Sequence, residues 1–61
     1  MTAKDLKNTL YTMKLTQGAL AKRLEVDRNT VSRWATGATP VPGYVGEYLR
    51  VLALAHAILN P

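Results

Sequence analysis

Four side chains close together, Arg28, Asn29, Ser32 and Arg33, set the chemistry this 61-residue chain can offer. A guanidinium matches O6 and N7 of guanine, and a carboxamide matches N6 and N7 of adenine. Each match is a pair of hydrogen bonds worth about 1–3 kcal/mol of discrimination. Asn29 and Arg33 are expected to read bases in this way. Ser32 suits a direct or water-mediated base contact, and Arg28 reads nearly as well as a phosphate ligand. The four interleave with Val31 and Trp34. A helix carrying this pattern buries one side and presents donors and acceptors on the other, as entry into the DNA major groove requires. Trp34 is expected in the core, because stacking on a base would unpack the domain.

To hold that helix in place, the stretch from Gln17 to Thr36 must form two short helices crossing steeply over a shared core. Leu20, Ala21 and Leu24, then Val26, then Val31 and Trp34 are spaced for this, and the small Ala21 lets the second helix lie close on the first. Thr16 is a good N-cap for a helix over roughly Gln17 to Leu24. Gly18 falls in the first turn, where its cost to helix propensity is smallest. Glu25 and Val26 form the turn. Asp27 caps a third helix, roughly Arg28 to Thr36, and Gly37 stands where a left-handed C-terminal cap is wanted.

Upstream, Thr2 and Asp5 resemble a capping box for a first helix of about Ala3 to Met13, in which Leu6, Leu10 and Met13 recur at helical spacing. Leu15 turns the chain into the core. Downstream, residues 38–43 form a short loop, and Pro42 is placed to open the last helix. That helix, from Gly43 or Tyr44 to Leu59, would be about 25 Å long. Val45, Leu49, Leu52 and Leu59 are expected to face the core, with Tyr48, Val51, Ala55 and Ile58 on a neighbouring face. So wide an apolar arc wants a neighbour on both sides, and in so small a chain the second neighbour is expected to be another copy. The expected dimer interface is Tyr48, Val51, Leu52, Ala55, Ile58 and Leu59.

The formal net charge of +4 and a pI near 9.9 suit a polyanionic partner. Lys14, Lys22, Arg23, Arg28 and Arg33 gather in or just before the two crossing helices, against Glu25 and Asp27. Thr16 and the start of the second helix offer free amide hydrogens to a phosphate. Lys14, Lys22, Arg23 and Thr39 are expected DNA-backbone contacts; Lys22 and Arg23 read equally as solvated surface charge.

Taken in order, Leu15-Thr16-Gln17, Leu20-Ala21, Leu24 with Val26, the run Asp27 to Trp34 and the closing Gly37 resemble the Cro/repressor (XRE-type, lambda-repressor-like) helix-turn-helix family. The resemblance spans about Leu15 to Leu52. It implies an all-α domain, usually of five helices, that binds operator DNA as a dimer and most often represses transcription in bacteria or phage. It also implies a phosphate contact for Gln17. Glu25 stands where the family commonly has glycine, at a position that often takes positive φ and costs a non-glycine residue about 1 kcal/mol. Four helices are counted here rather than five, with the fifth absent or merged into a longer fourth.

The rest of the sequence narrows the alternatives. With no cysteine there is neither a disulfide framework nor a thiolate metal site, which fits a cytoplasmic setting. No segment approaches a membrane span, and the N-terminus does not read as a signal peptide. Asp5, Glu25, Asp27 and Glu47 have no spacing that suggests paired acid/base work. An enzyme is therefore not expected, nor is a cofactor, a metal site at the lone His56, or a small-molecule effector pocket. The rival reading is a protein-interaction module or antitoxin-like partner that uses the same fold without reading DNA. A nonspecific architectural binder is disfavoured, because the chain carries neither apolar wedges nor arms for the minor groove.

Overall fold

The first three helices each begin directly after the capping residue that the sequence signals, Thr2, Thr16 and Asp27. A computed structural model describes residues 1–59, which form α1 (Ala3–Thr12), α2 (Gln17–Leu24), α3 (Arg28–Thr36) and α4 (Gly43–Leu59), with no strand among them. At α1 the Thr2 hydroxyl accepts from the Asp5 amide at 3.1 Å, and the Thr2 amide donates to the Asp5 carboxylate at 3.2 Å. This closes the capping box. Donation from the Thr2 amide, reinforced by the Thr2 side chain, holds the Asp5 carboxyl below the usual aspartate value. The Thr16 hydroxyl accepts from the Ala19 amide at 3.0 Å, and the Asp27 carboxylate accepts from the Asn29 amide at 3.3 Å. Pro42 stands immediately before α4, and its carbonyl accepts from the Val45 amide at 3.1 Å.

The helix ends share one device. After α1, Lys14 takes φ 55°; its amide donates to the Tyr11 carbonyl, and the Leu15 amide reaches back to Leu10. After α2, Glu25 takes φ 57°, donating to Lys22 while the Val26 amide reaches Ala21. Both are Schellman ends, which satisfy orphan carbonyls and drop an apolar residue, Leu15 or Val26, back onto the helix it follows. The positive φ at Glu25 agrees with the expectation. The one at Lys14 was not expected, and it is why α1 ends at Thr12 rather than Met13. Only Gly37, at φ 82° after α3, carries the residue for which that conformation costs nothing.

The core gathers Leu6 and Leu10 from α1, Leu20 and Ala21 from α2, Val31, Trp34 and Ala35 from α3, and Val45 and Leu49 from α4. Leu15, Leu24, Val26, Val41 and Tyr48 pack against its rim. Ala35 was not foreseen there, while Met13 is only half-buried.

α4 departs most from expectation. Leu52 is half-buried and Leu59 is 77 % exposed, so neither completes the core face begun by Val45 and Leu49. The cause is length: at 1.5 Å per residue α4 runs about 25 Å, whereas α1 to α3 run only about 12–15 Å and leave its distal half uncovered. The molecule is accordingly elongated, 34 × 20 × 18 Å. Among the described residues no helix is long and apolar enough to cross a membrane.

Candidate nucleic-acid interface

Successive helix positions turn by about 100°, so Arg28, Ser32, Thr36, Asn29 and Arg33 fall within an arc of about 140° on α3. Val31 and Trp34 lie on the opposite side, fully buried or nearly so. Arg28, Asn29, Arg33 and Thr36 are exposed and Ser32 is half-buried. α3 therefore hides its apolar stripe against α1 and α2 and turns a continuous row of hydrogen-bonding groups to solvent. Thr36 was not picked out from the sequence, although it continues the every-fourth-residue row of Arg28 and Ser32. Its hydroxyl donates to the Arg33 carbonyl at 3.2 Å, which leaves its lone pairs available.

A second cluster forms where α2 begins. Ala19 donates to the Thr16 hydroxyl and Leu20 to the Thr16 carbonyl, so the amides of Gln17 and Gly18 are the two first-turn donors left open. Arg28 is the neighbour of this turn: its Cδ and Nε both lie 3.9 Å from where a β-carbon on Gly18 would sit. Two free amides, the positive end of a helix dipole and a guanidinium converge, which is an arrangement suited to a phosphate. The closeness of Arg28 to Gly18 has no signature in the sequence, because it depends on the angle at which the two helices cross. It sets the Arg28 side chain beside the open amides at the start of α2.

The remaining cations are spread around this centre. Lys14, one residue before Leu15, sits in the turn that delivers Thr16 and is exposed. Lys22 and Arg23 occupy the last turn of α2, about 8 Å along the axis from Gln17, where they also favour the helix's negative end. The structure does not bring them to the α2 N-terminus. Thr39 is half-buried beside the end of α3, its amide donating to the Arg33 carbonyl at 3.3 Å. Among the described residues none of Lys14, Lys22, Arg23, Arg28 and Arg33 is tied up in an ion pair. Asp27 is occupied as a cap.

On α4, Tyr48 turns toward the protein's own core, and Leu52 and Ala55 are half-buried. The exposed apolar row is Val51, Leu54 and Ile58, at 60–77 % exposure, with Leu59 beside it. Leu54 was overlooked in the sequence, although the 51-54-58 spacing of three and four is a seam in its own right.

A groove of about 480 Å³ lies between α1 and α4, floored by Leu49, Gly46 and Ala53 and edged by Asp5, Asn8 and Arg50. No such hollow was expected. Among the described residues no group of three or more His, Asp or Glu is placed to hold a metal. In comparisons with known proteins, no family model, curated protein or solved structure matches the chain.

Proposed function

We propose that this protein is a sequence-specific DNA-binding regulator with a lambda-repressor-like helix-turn-helix. It acts as a homodimer on an inverted repeat, in the cytoplasm of a bacterium or a phage-infected cell. The observation that carries this is the outward arc of exposed Arg28, Asn29, Arg33 and Thr36 with half-buried Ser32 among them, backed by the buried Val31, Trp34 and Ala35. α3 enters the major groove; Asn29, Ser32 and Arg33 read base edges, and Arg28 reaches a base or the phosphate held by Thr16, Gln17 and Gly18. Lys14 and Thr39, and more weakly Lys22 and Arg23, meet the backbone to either side.

One recognition helix reads few base pairs, so specificity calls for two, about 34 Å apart on successive turns of the duplex. The exposed row Val51, Leu54, Ile58 and Leu59 supplies the surface on which two copies pair, with Tyr48, Leu52 and Ala55 at its edge. Repression by occupying a promoter, including that of its own operon, is the output this reading assigns. No catalytic residue and no cofactor is assigned.

The test is selection of bound sequences from a random DNA pool, followed by binding at two salt concentrations. Enrichment of an inverted repeat is the expected result. Arg33→Ala should then relax specificity at one base pair, by about 1–3 kcal/mol, whereas Lys22→Ala should weaken all sequences alike and flatten the salt dependence. Salt-sensitive binding without enrichment would make this a nonspecific binder. No binding at all would favour the second reading, a protein-interaction module or antitoxin-like partner working through the distal half of α4, whose exposed leucines and isoleucine are the observation in its favour.

A further inference from the structure

We infer that the outer face of α1, Lys4, Lys7 and Tyr11 leading into Lys14, is a second track for the DNA backbone. It extends the footprint beyond the phosphate cluster at the start of α2, and it rests on the DNA reading proposed above.

Lys4, Lys7 and Tyr11 fall within an arc of about 60° on α1, away from the buried Leu6 and Leu10. They also lie on the other flank from Asp5 and Thr9, which edge the groove toward α4, with Asn8 between the two flanks. All three are exposed, and Tyr11 at 86 % is the most exposed large hydrophobic side chain among the described residues. The nearest carboxylate, Asp5, accepts from the Thr2 amide and also feels the Lys4 charge, whereas no carboxylate stands on the Lys7–Tyr11 part of the face.

Both ends of α1 are fixed to the recognition machinery. The Ala3 β-carbon lies 4.0 Å from the position a β-carbon on Gly37 would take, at the end of α3. At the other end Lys14 passes through Leu15 directly to the Thr16 cap of α2. The row therefore runs along the flank from one end of the helix-turn-helix to the other. Lys4 to Tyr11 covers about 10 Å, matching about three phosphates at roughly 3.4 Å of duplex axis each on one strand. Lysines neutralise phosphates as point charges, and a tyrosine hydroxyl between them donates to a phosphate oxygen.

The distribution of cations fits this assignment. Five of the eight lie in or beside the helix-turn-helix, and Arg50 is paired with Glu47 at 3.8 Å. The two that remain, Lys4 and Lys7, are both on this face.

The experiment measures affinity of the 61-residue chain for random-sequence duplex DNA, and for the duplex enriched from the pool, between about 50 and 200 mM salt. For K4A/K7A, the slope of log affinity against log salt should fall by about two, with affinity down roughly tenfold per lysine near 0.1 M on both duplexes. Tyr11→Ala should weaken both duplexes several-fold without changing the slope. Arg50→Ala, which removes one charge on α4, should leave the slope as it was. These side chains are exposed, so each variant should stay helical, which far-ultraviolet circular dichroism checks. An unchanged slope in K4A/K7A, while the natural chain still enriches its site, overturns the second track and leaves the DNA reading standing. So does an equal fall per charge in Arg50→Ala, which would make the effect one of net charge. Failure of the natural chain to bind duplex DNA removes both.

Discussion

The helix-turn-helix and the distal half of α4 use apolar residues in opposite ways. α2 and α3 place Leu20, Ala21, Val31, Trp34 and Ala35 at 4 % exposure or less, and keep polar groups on the outside. α4 beyond Leu49 displays Val51, Leu54, Ile58 and Leu59 at 60 % or more. The first region is finished within one chain, because three short helices close around it. The second is a long helix with nothing of its own length to lie against. A fold this small can thus bury the apolar side of α2 and α3 within itself and still leave a second apolar surface open on α4.

Substitutions in the two regions should separate them widely. Trp34→Ala should cost about 3–5 kcal/mol and leave little folded protein, because it opens a cavity in the core beneath α3. Ile58→Ala should change the stability of an isolated chain by no more than about 0.5 kcal/mol. Urea denaturation at low protein concentration checks both, and equal losses would erase the distinction.

The next effect concerns association. If the distal half of α4 is a pairing surface, melting temperature should rise with protein concentration. Leu54→Glu should abolish that dependence while leaving the dilute-limit value in place. Sedimentation equilibrium should then show the variant as a monomer at concentrations where the natural chain pairs.

A smaller effect should appear at the turns that bound α2. Lys14 and Glu25 hold left-handed backbone without being glycine. Lys14→Gly and Glu25→Gly should each stabilise by about 1 kcal/mol, and Gly37→Ala should destabilise by a similar amount. A thermal melt of each variant reads the sign directly. Loss of stability on Glu25→Gly would mean that the Glu25 side chain contributes something its exposed position does not suggest.

The smallest effect is in acid. The Asp5 carboxyl titrates below its usual value when folded, so the cap's contribution is present above the unfolded value near pH 4 and is lost as pH falls through the lower folded one. Between about pH 5 and pH 2 the natural chain should lose slightly more melting temperature than Asp5→Asn.

The reasons some features were legible and others hidden are physical. Helix starts are written in single side chains: Thr2, Thr16 and Asp27 each satisfy amides two or three residues on, and local sequence suffices to read them. The outward face of α3 follows from helical periodicity, and its buried side from Val31 and Trp34. The end of α1 was harder, because a lysine in the left-handed region carries no glycine to announce it. Leu59 was placed toward the core because periodicity fixes which direction a residue faces on its helix, but not whether another helix extends that far. The nearness of Arg28 to Gly18, and the groove between α1 and α4, depend on crossing angles that no local pattern encodes.

Gly18 also bears on how the Arg28 guanidinium is presented. The Arg28 stem stops 3.9 Å from an unoccupied β-carbon position, so a gap the size of one methyl group lies beneath it. That gap preserves rotamer freedom, of which an arginine holds up to about 2 kcal/mol, and under the proposed function most of it is lost only when DNA arrives. An alanine there would touch the stem at ordinary van der Waals distance and spend part of that entropy during folding instead. On the proposed reading, glycine at this position would keep the side chain able to swing between a phosphate and a base edge, and alanine would narrow that swing before any partner is met.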